Sequence, residues 1–239
     1  MLSMLIPCRN EAGNIPQIFK ELRNLHHVSE YVFIEGGSSD STFSVIQDHI
    51  KLNQDLKVKL VKQSGRGKFA AVMTGAKTAE SEYLAIWDAD LTIDSFDQNA
   101  LIDLYLSSNN LDFFVTANRL NPQIHDSAMR RLNLYGNHFF ALASKIVTGL
   151  NVPDVLAGTK IFPKKLLTGD AICPKAISLD PFGDLFLISR ASYFKLHIKC
   201  INCEYKPRSY GQTNIPRWSG GFKLFRFLIH LIAHGCHKR

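Results

Sequence analysis

Asp88 and Asp90 close an apolar run, EYLAIWDADLTID (residues 82–94), with only Ala89 between them. Were the strand to run on through them, residues two apart would share one face. Two carboxylates so close repel, and each drives the other toward protonation. The spacing therefore calls for a cation between them, or for a strand that has already ended in water. Hard oxygen donors of this kind suit magnesium or manganese, with the phosphates of a ligand bridged to the protein. Three further polar clusters follow apolar runs in the same way: Asn10–Glu11, Glu35, and Gly65–Lys68. Lys68 and the backbone N–H groups around Gly65 and Gly67 form a phosphate cradle. Any one cluster is equally a helix cap or a turn; four at one sheet edge are a site.

The elements that must position these residues alternate. MLSMLIP, YVFIE, KVKLVKQ, EYLAIWDAD and DFFVTANR read as strands. Between them lie NEAGNIPQIFKELRNL, the segment around Val45–Ile50, KFAAVMTGAKTAE and DQNALIDLYLSS, which read as helices. Strand–helix alternation predicts an α/β fold with a mostly parallel central sheet flanked by helices, which binds ligands outside the carboxyl ends of its strands. The second half is less regular. Leu132, Tyr135, Phe139, Leu142 and Ile146 have helical spacing, with Gly149 as a C-terminal cap. GTKIFPKK reads as a short strand and HIKCINCEYKPR as an alternating one.

Apolar and charged fractions of 46% and 21% suit a soluble globular chain. MLSMLIPC reads as a strand rather than a signal peptide, and no run reaches the ~18 apolar residues of a membrane span. Five scattered cysteines fit a reducing compartment. CINC lacks a second zinc half-site, so Cys200 and Cys203 are expected to be core thiols on opposite sides of a strand. The charge is uneven. Seven basic residues and no acidic ones follow Glu204, as many as the formal net charge of +7. They lie partly on a C-terminal helix, where Lys223, Arg226, His230, His234 and His237 form one face and Phe222, Phe225, Ile229 and Ile232 another. A basic amphipathic helix suits a membrane surface or a partner. The aromatics fit a helix face and no recognised nucleic-acid motif is present, which argues against nucleic acid.

IPCRNEAGNI, IEGGSSDST, GRGKFAAVMTG and YLAIWDADLT, in this order, resemble family 2 glycosyltransferases of the GT-A (Rossmann-like nucleotide-diphospho-sugar transferase) fold. RRLNLYGNHFFALASKIVTGLNVPDVLAGTKIF and YKPRSYGQTNIPRW resemble the polyprenyl-phosphate branch, which includes dolichyl-phosphate mannosyltransferase. The resemblance implies a glycosyltransferase domain over 1–215 and a basic amphipathic helix over 216–239. It implies an inverting transfer from a nucleotide-sugar donor to a polyprenyl phosphate, with Mg²⁺ or Mn²⁺, on the cytosolic face of a membrane. The donor is expected near Pro7, Asn10, Glu11 and Glu35. Asp88 is expected at the ribose or metal and Asp90 at the metal, with Lys68 and Arg119 on phosphates. Asp154 is expected near the reacting centre, as an orienting or electrostatic residue rather than a base. Arg130 or Arg131, with Arg208, is expected to hold the lipid phosphate. Membrane contact would come from the C-terminal helix or a separate membrane subunit. A soluble or glycan acceptor, or an inactive nucleotide-sugar-binding scaffold, are the rival readings. Four positions depart from the family pattern: Gly36, Phe69, Thr159 and Asn214.

Overall fold

The computed structural model of the 239-residue chain describes residues 1–107, 112–120, 131–168, 180, 182–211 and 217–234, without the side chains of 131, 132, 217–219 and 234. Seven strands form one sheet: β1 (Leu2–Cys8), β2 (Val28–Glu35), β3 (Val58–Lys62), β4 (Tyr83–Ile86), β5 (Phe113–Asn118), β6 (Lys160–Pro163) and β7 (His197–Asn202). Their order is β3-β2-β1-β4-β6-β5-β7. β1 to β4 run parallel, as do β5 and β7, while β6 is antiparallel to both its neighbours. The antiparallel strand brings its first residue, Lys160, to the edge where β4 and β5 end, opposite Ile86 and Thr116.

The helices are α1 (Ile15–Leu22), α2 (Thr42–Leu52), α3 (Lys68–Thr78), α4 (Ser95–Leu106), α5 (Arg131–Thr148), α6 (Asp184–Tyr193) and α7 (Arg217–His234), with a 3₁₀ turn at Lys164–Leu167. They cover both faces of the sheet. On one side Ile15, Ile18, Phe19 and Leu22 of α1 pack with Leu101, Ile102 and Tyr105 of α4. On the other, Phe69 and Val72 of α3 meet Phe140 of α5, Leu185–Ile188 of α6 and Leu224, Phe227 and Leu228 of α7. These buried aliphatic and aromatic side chains supply the main drive to fold. The C-terminal helix thus shares the core of the preceding residues.

The strand–helix alternation of the first half is observed, and Gly149 caps α5 with φ +74° and its N–H on the Lys145 carbonyl. Three features differ from the sequence reading. β4 stops at Ile86, so Asp88 and Asp90 lie beyond the strand in a turn and do not alternate on its face. Cys200 is exposed, and only Cys203 of that pair is buried. Finally, α6 carries no readable period because every residue from Asp184 to Ala191 is buried. No helix among the described residues is long and apolar enough to cross a membrane.

Candidate active site

The turn after β4 is clamped from both ends. The Trp87 N–H donates to the Leu5 carbonyl at 2.9 Å, and its indole Nε1–H donates to the Ile93 carbonyl at 2.8 Å. Leu91 adopts φ +53° within the turn, and the Asp90 carboxylate accepts from the Thr92 N–H and hydroxyl. Asp88 and Asp90 are each paired with a cation of their own. Asp88 is bonded to Lys68, the first residue of α3. Asp90 Oδ2 lies 2.6 Å from Arg208 Nη2.

Burial alone raises the Asp88 pKa, but Lys68 beside it, with Arg119 and Lys160 behind, outweighs that and leaves it below the usual carboxylate range. Burial likewise lowers the Lys68 pKa, and Asp88 and Asp184 reverse the sign. Both groups are charged at neutral pH. The backbone comes against this pair at Gly158, where an added Cβ would lie 1.8 Å from Asp88 Oδ2 and 2.3 Å from Lys68 Nζ. A side chain there would have to push the Asp88 carboxylate and the Lys68 ammonium aside.

Arg208 reaches the site on a strap formed by residues 204–211. The Lys206 N–H donates to the Thr92 carbonyl, and its ammonium lies 2.6 Å from Asp94. The Arg208 guanidinium spans Asp90 and Glu11, with Nη1 3.1 Å from Glu11 Oε1. Ser209 donates to Asn14, whose amide donates to Glu11 Oε2 at 2.6 Å. The Tyr210 ring lies flat on Gly13, at 2.4 Å from where a Cβ would stand. Burial pushes the Glu11 carboxyl up to about 7, against the lowering effect of Arg208 and Asn14. The strap ties β1's loop to the turn after β4.

A second pair sits at the end of β5. Asp154 is wholly buried, and its Oδ2 accepts from the Arg119 N–H at 3.1 Å and Nε at 2.7 Å, while Oδ1 accepts from Nη2 at 3.0 Å. Burial raises the Asp154 pKa, yet Arg119 overcomes it and keeps the carboxylate ionised. The Arg119 guanidinium in turn lies over the Tyr205 ring, 5.1 Å from its centroid. With three donors on its two oxygens, Asp154 fixes the Arg119 side chain. Between the two pairs lies Lys160, fully buried and 2.7 Å from Asp184 at the start of α6.

The remaining predicted donor residues are at the same edge. Pro7 is half-buried in β1, in register with Ile34. Asn10 has φ +56°, and its side-chain oxygen accepts from the Ser39 N–H at 2.8 Å. Glu35 is buried at the end of β2 and accepts from the Ser38 N–H. Of the predicted acceptor residues, Arg208 is placed between Glu11 and Asp90, two of the residues expected at the donor. Arg130 lies outside the described residues, and Arg131 begins α5 without a described side chain.

The departures from the family pattern are structurally uneven. Phe69 is turned into the core against Phe186, at 4.8 Å between ring centroids, so it leaves the Gly65–Lys68 loop open. At Gly36 the space a side chain would take is held by Gln63 Oε1, 2.9 Å from the Cβ position. Thr159 is buried, with its carbonyl bonded to the Ala117 N–H. Asn214 lies outside the described residues.

Sequence reasoning missed the Lys160–Asp184 pair and the bridging role of Arg208. A lysine opening the apolar KIFP was a signal for the first. For the second there was none, since Asp90 and Arg208 are 118 residues apart.

The family model for glycosyl transferase family 2 matches residues 3–168. The chain belongs to this family. It is 24% identical over 180 residues to the dolichyl-phosphate β-glucosyltransferase of Dictyostelium discoideum, covering 69% of this chain and 54% of that one. It is 27% identical over 225 residues to the poly-β-1,6-N-acetyl-D-glucosamine synthase of Staphylococcus epidermidis, covering 92% and 51%. The chain thus spans about half the length of these curated relatives. Its fold is similar to that of glucosyl-3-phosphoglycerate synthase from Mycobacterium tuberculosis in complex with Mn²⁺, UDP and glucosyl-3-phosphoglycerate. That match has a TM-score of 0.64 at 15% identity, over 100% of this chain and 81% of the other. The architecture is that of GT-A glycosyltransferases.

The donor set suits a divalent cation of the same kind. Among the described residues no cluster of three or more ligating His, Cys, Asp or Glu side chains exists. One or two carboxylates with a ligand's phosphates completing the shell are the usual environment of magnesium, and Asp88 and Asp90 are carboxylates of that type at this edge.

Proposed function

We propose that this glycosyltransferase moves a sugar, with inversion, from a nucleotide-sugar donor to a polyprenyl phosphate at the cytosolic face of a membrane. The observation that carries the reading is the convergence of Lys68–Asp88 and Glu11–Arg208–Asp90 at the carboxyl edge of a family 2 sheet. The Pro7–Glu11 loop and Glu35 receive the nucleoside, and Lys68 and the Gly65–Gly67 backbone face the diphosphate. Asp88 and Asp90 would hold Mg²⁺ or Mn²⁺, which would supply charge stabilisation to the departing nucleoside diphosphate.

The nucleophile is an acceptor phosphate oxygen. It is ionised at neutral pH, because the second pKa of a phosphate monoester is about 6. Its attack on the anomeric carbon forms the new C–O bond as the bond to the diphosphate breaks, so no strong base is needed. What the protein must supply is cancellation of repulsion between two anions. Arg119, oriented by Asp154, is placed for this; Arg208 joins it on leaving Asp90, and Arg130 or Arg131 completes the phosphate contacts. The Dictyostelium relative, named for dolichyl phosphate, supports this acceptor. The Staphylococcus relative, a glycan synthase, supports the second reading of a glycan acceptor.

The test is a panel of nucleotide sugars incubated with purified protein, Mn²⁺ or Mg²⁺, and either a polyprenyl phosphate or an oligosaccharide. One glycosylated lipid, detected by mass and absent with Asp90→Ala, is the expected result. Product on the oligosaccharide alone overturns the acceptor, and none on either overturns the enzyme in favour of a scaffold.

A further inference from the structure

Helices α5 and α7 pack side by side, and each turns an apolar stripe outward. On α5 the stripe is Tyr135, Phe139, Leu142 and Ile146, each 52–76% exposed. At 100° per residue these four fall within about 60° of one another. On α7 it is Phe222, Phe225, Ile229 and Ile232, each 45–68% exposed. The core takes a different face of α7: Leu224, Phe227, Leu228 and Leu231 are buried. Eight large apolar side chains are therefore left in the open on two adjoining helices, and exposed apolar groups so concentrated mark an interaction surface.

Charge decides what covers them. Neither 18-residue helix contains an Asp or a Glu. Lys145 on α5 and Lys223 and Arg226 on α7 are exposed at the borders of the stripes. An isologous pairing of two copies through this face would set cations against cations. An anionic bilayer satisfies both halves, taking the apolar stripes into the acyl boundary and the cations among headgroups. The face also leads to the site. A groove of about 260 Å³ is lined by Asn118 and Leu120 at the end of β5, His138, Leu142 and Lys145 of α5, and Pro153. Leu142 belongs to both the groove and the stripe, while Asn118 and Pro153 adjoin Arg119 and Asp154 in sequence.

We infer that α5 and α7 together form a bilayer-docking platform, with α5 an equal partner of the basic C-terminal helix, which seats the Arg119–Asp154 end of the site at the headgroup level. The inference deepens the polyprenyl-phosphate reading and rests on it for its purpose, since a lipid acceptor must be met at that level.

The experiment is flotation of the full chain with phosphatidylcholine vesicles, with and without phosphatidylglycerol, beside hydrogen exchange of residues 135–146. The wild type should float with the anionic vesicles, and exchange over α5 should slow on vesicle addition. The triple variant Tyr135→Gln, Phe139→Gln, Ile146→Gln should lose roughly tenfold or more of the partition although α7 is untouched. Lys223→Glu with Arg226→Glu should lose a similar amount from anionic vesicles alone. Undiminished flotation of the α5 variant, or unchanged exchange over α5 in the vesicle-bound wild type, overturns the platform. So does a wild-type dimer that the α5 variant converts to monomer without any vesicle binding. Transfer to a short-chain, water-soluble polyprenyl phosphate is measurable without vesicles, so a failed acceptor reading and a failed platform give different results.

Discussion

The carboxyl edge of the sheet and the outer face of α5 and α7 handle charge in opposite ways. At the edge, cations and carboxylates are matched and largely buried: Lys68 with Asp88, Arg208 with Asp90 and Glu11, Arg119 with Asp154, and Lys160 with Asp184. On the outer face cations stand without a single carboxylate on their own helices, next to exposed aromatics and aliphatics. A matched buried network fixes geometry, because removing one member strands another in a low dielectric. An unmatched exposed face fixes nothing within the fold and is ready for an external surface. The first suits a donor that must be held in one pose. The second suits an acceptor that arrives in a bilayer.

The contrast is broken most severely inside the network. Lys160→Met strands Asp184 and should cost about 3–5 kcal/mol of unfolding free energy, read by denaturant titration. The double variant Lys160→Met, Asp184→Leu should recover most of it. Arg226→Met on the outer face should change stability by no more than about 0.5 kcal/mol. Comparable losses at the two positions would remove the distinction.

Next in size is Asp90→Ala, which should lower kcat by roughly 10²-fold or more by removing charge stabilisation at the diphosphate. Nucleotide-sugar turnover reads it. Gly158→Ala should follow, with a loss of roughly tenfold. Its Cβ displaces Asp88 from Lys68, and a misplaced charge weakens the site without unfolding the core. Wild-type rates in this variant would show that the Lys68–Asp88 geometry is not needed.

The smallest effect is a titration. The Glu11 carboxyl stands at about 7 in the folded protein, against 4.5 as its ordinary value, so the fold holds a proton there that the unfolded chain releases. Stability from this group is therefore present below about 4.5 and lost as pH rises through 7. Glu11→Gln should flatten the pH dependence of unfolding across that window. Arg208→Ala should move the Glu11 midpoint further up, since Arg208 lowers it; carbon NMR of the carboxyl reads both. A midpoint that falls would contradict the bridge.

Much of this fold was legible because its strands are short apolar runs punctuated by Gly, Asn and Asp. The polar residues at their ends were legible as a site for the same reason. Three things were not. α6 is buried on every side, so it has no stripe to read. The apolar residues of α7 form two faces, and only packing decides that Leu224, Phe227, Leu228 and Leu231 go inward. The pairing of Lys160 with Asp184, and of Arg208 with Asp90, is set by the antiparallel β6 and by the returning strap, which no local spacing encodes. Asp88 and Asp90 were expected either to share a cation or to lie past the end of their strand, and they lie past it. Each pairs with its own cation on the chain, Lys68 for Asp88 and Arg208 for Asp90.

The central claim is that the nucleophile is a phosphate oxygen. Phosphorus NMR of a reaction containing the protein, Mn²⁺-free Mg²⁺ buffer, the active nucleotide sugar and a short polyprenyl phosphate reads this directly. The account predicts that the monoester resonance of the lipid gives way to a sugar phosphodiester as nucleoside diphosphate is released. A monoester that stays unchanged while the sugar is passed to a hydroxyl of an added oligosaccharide would contradict it.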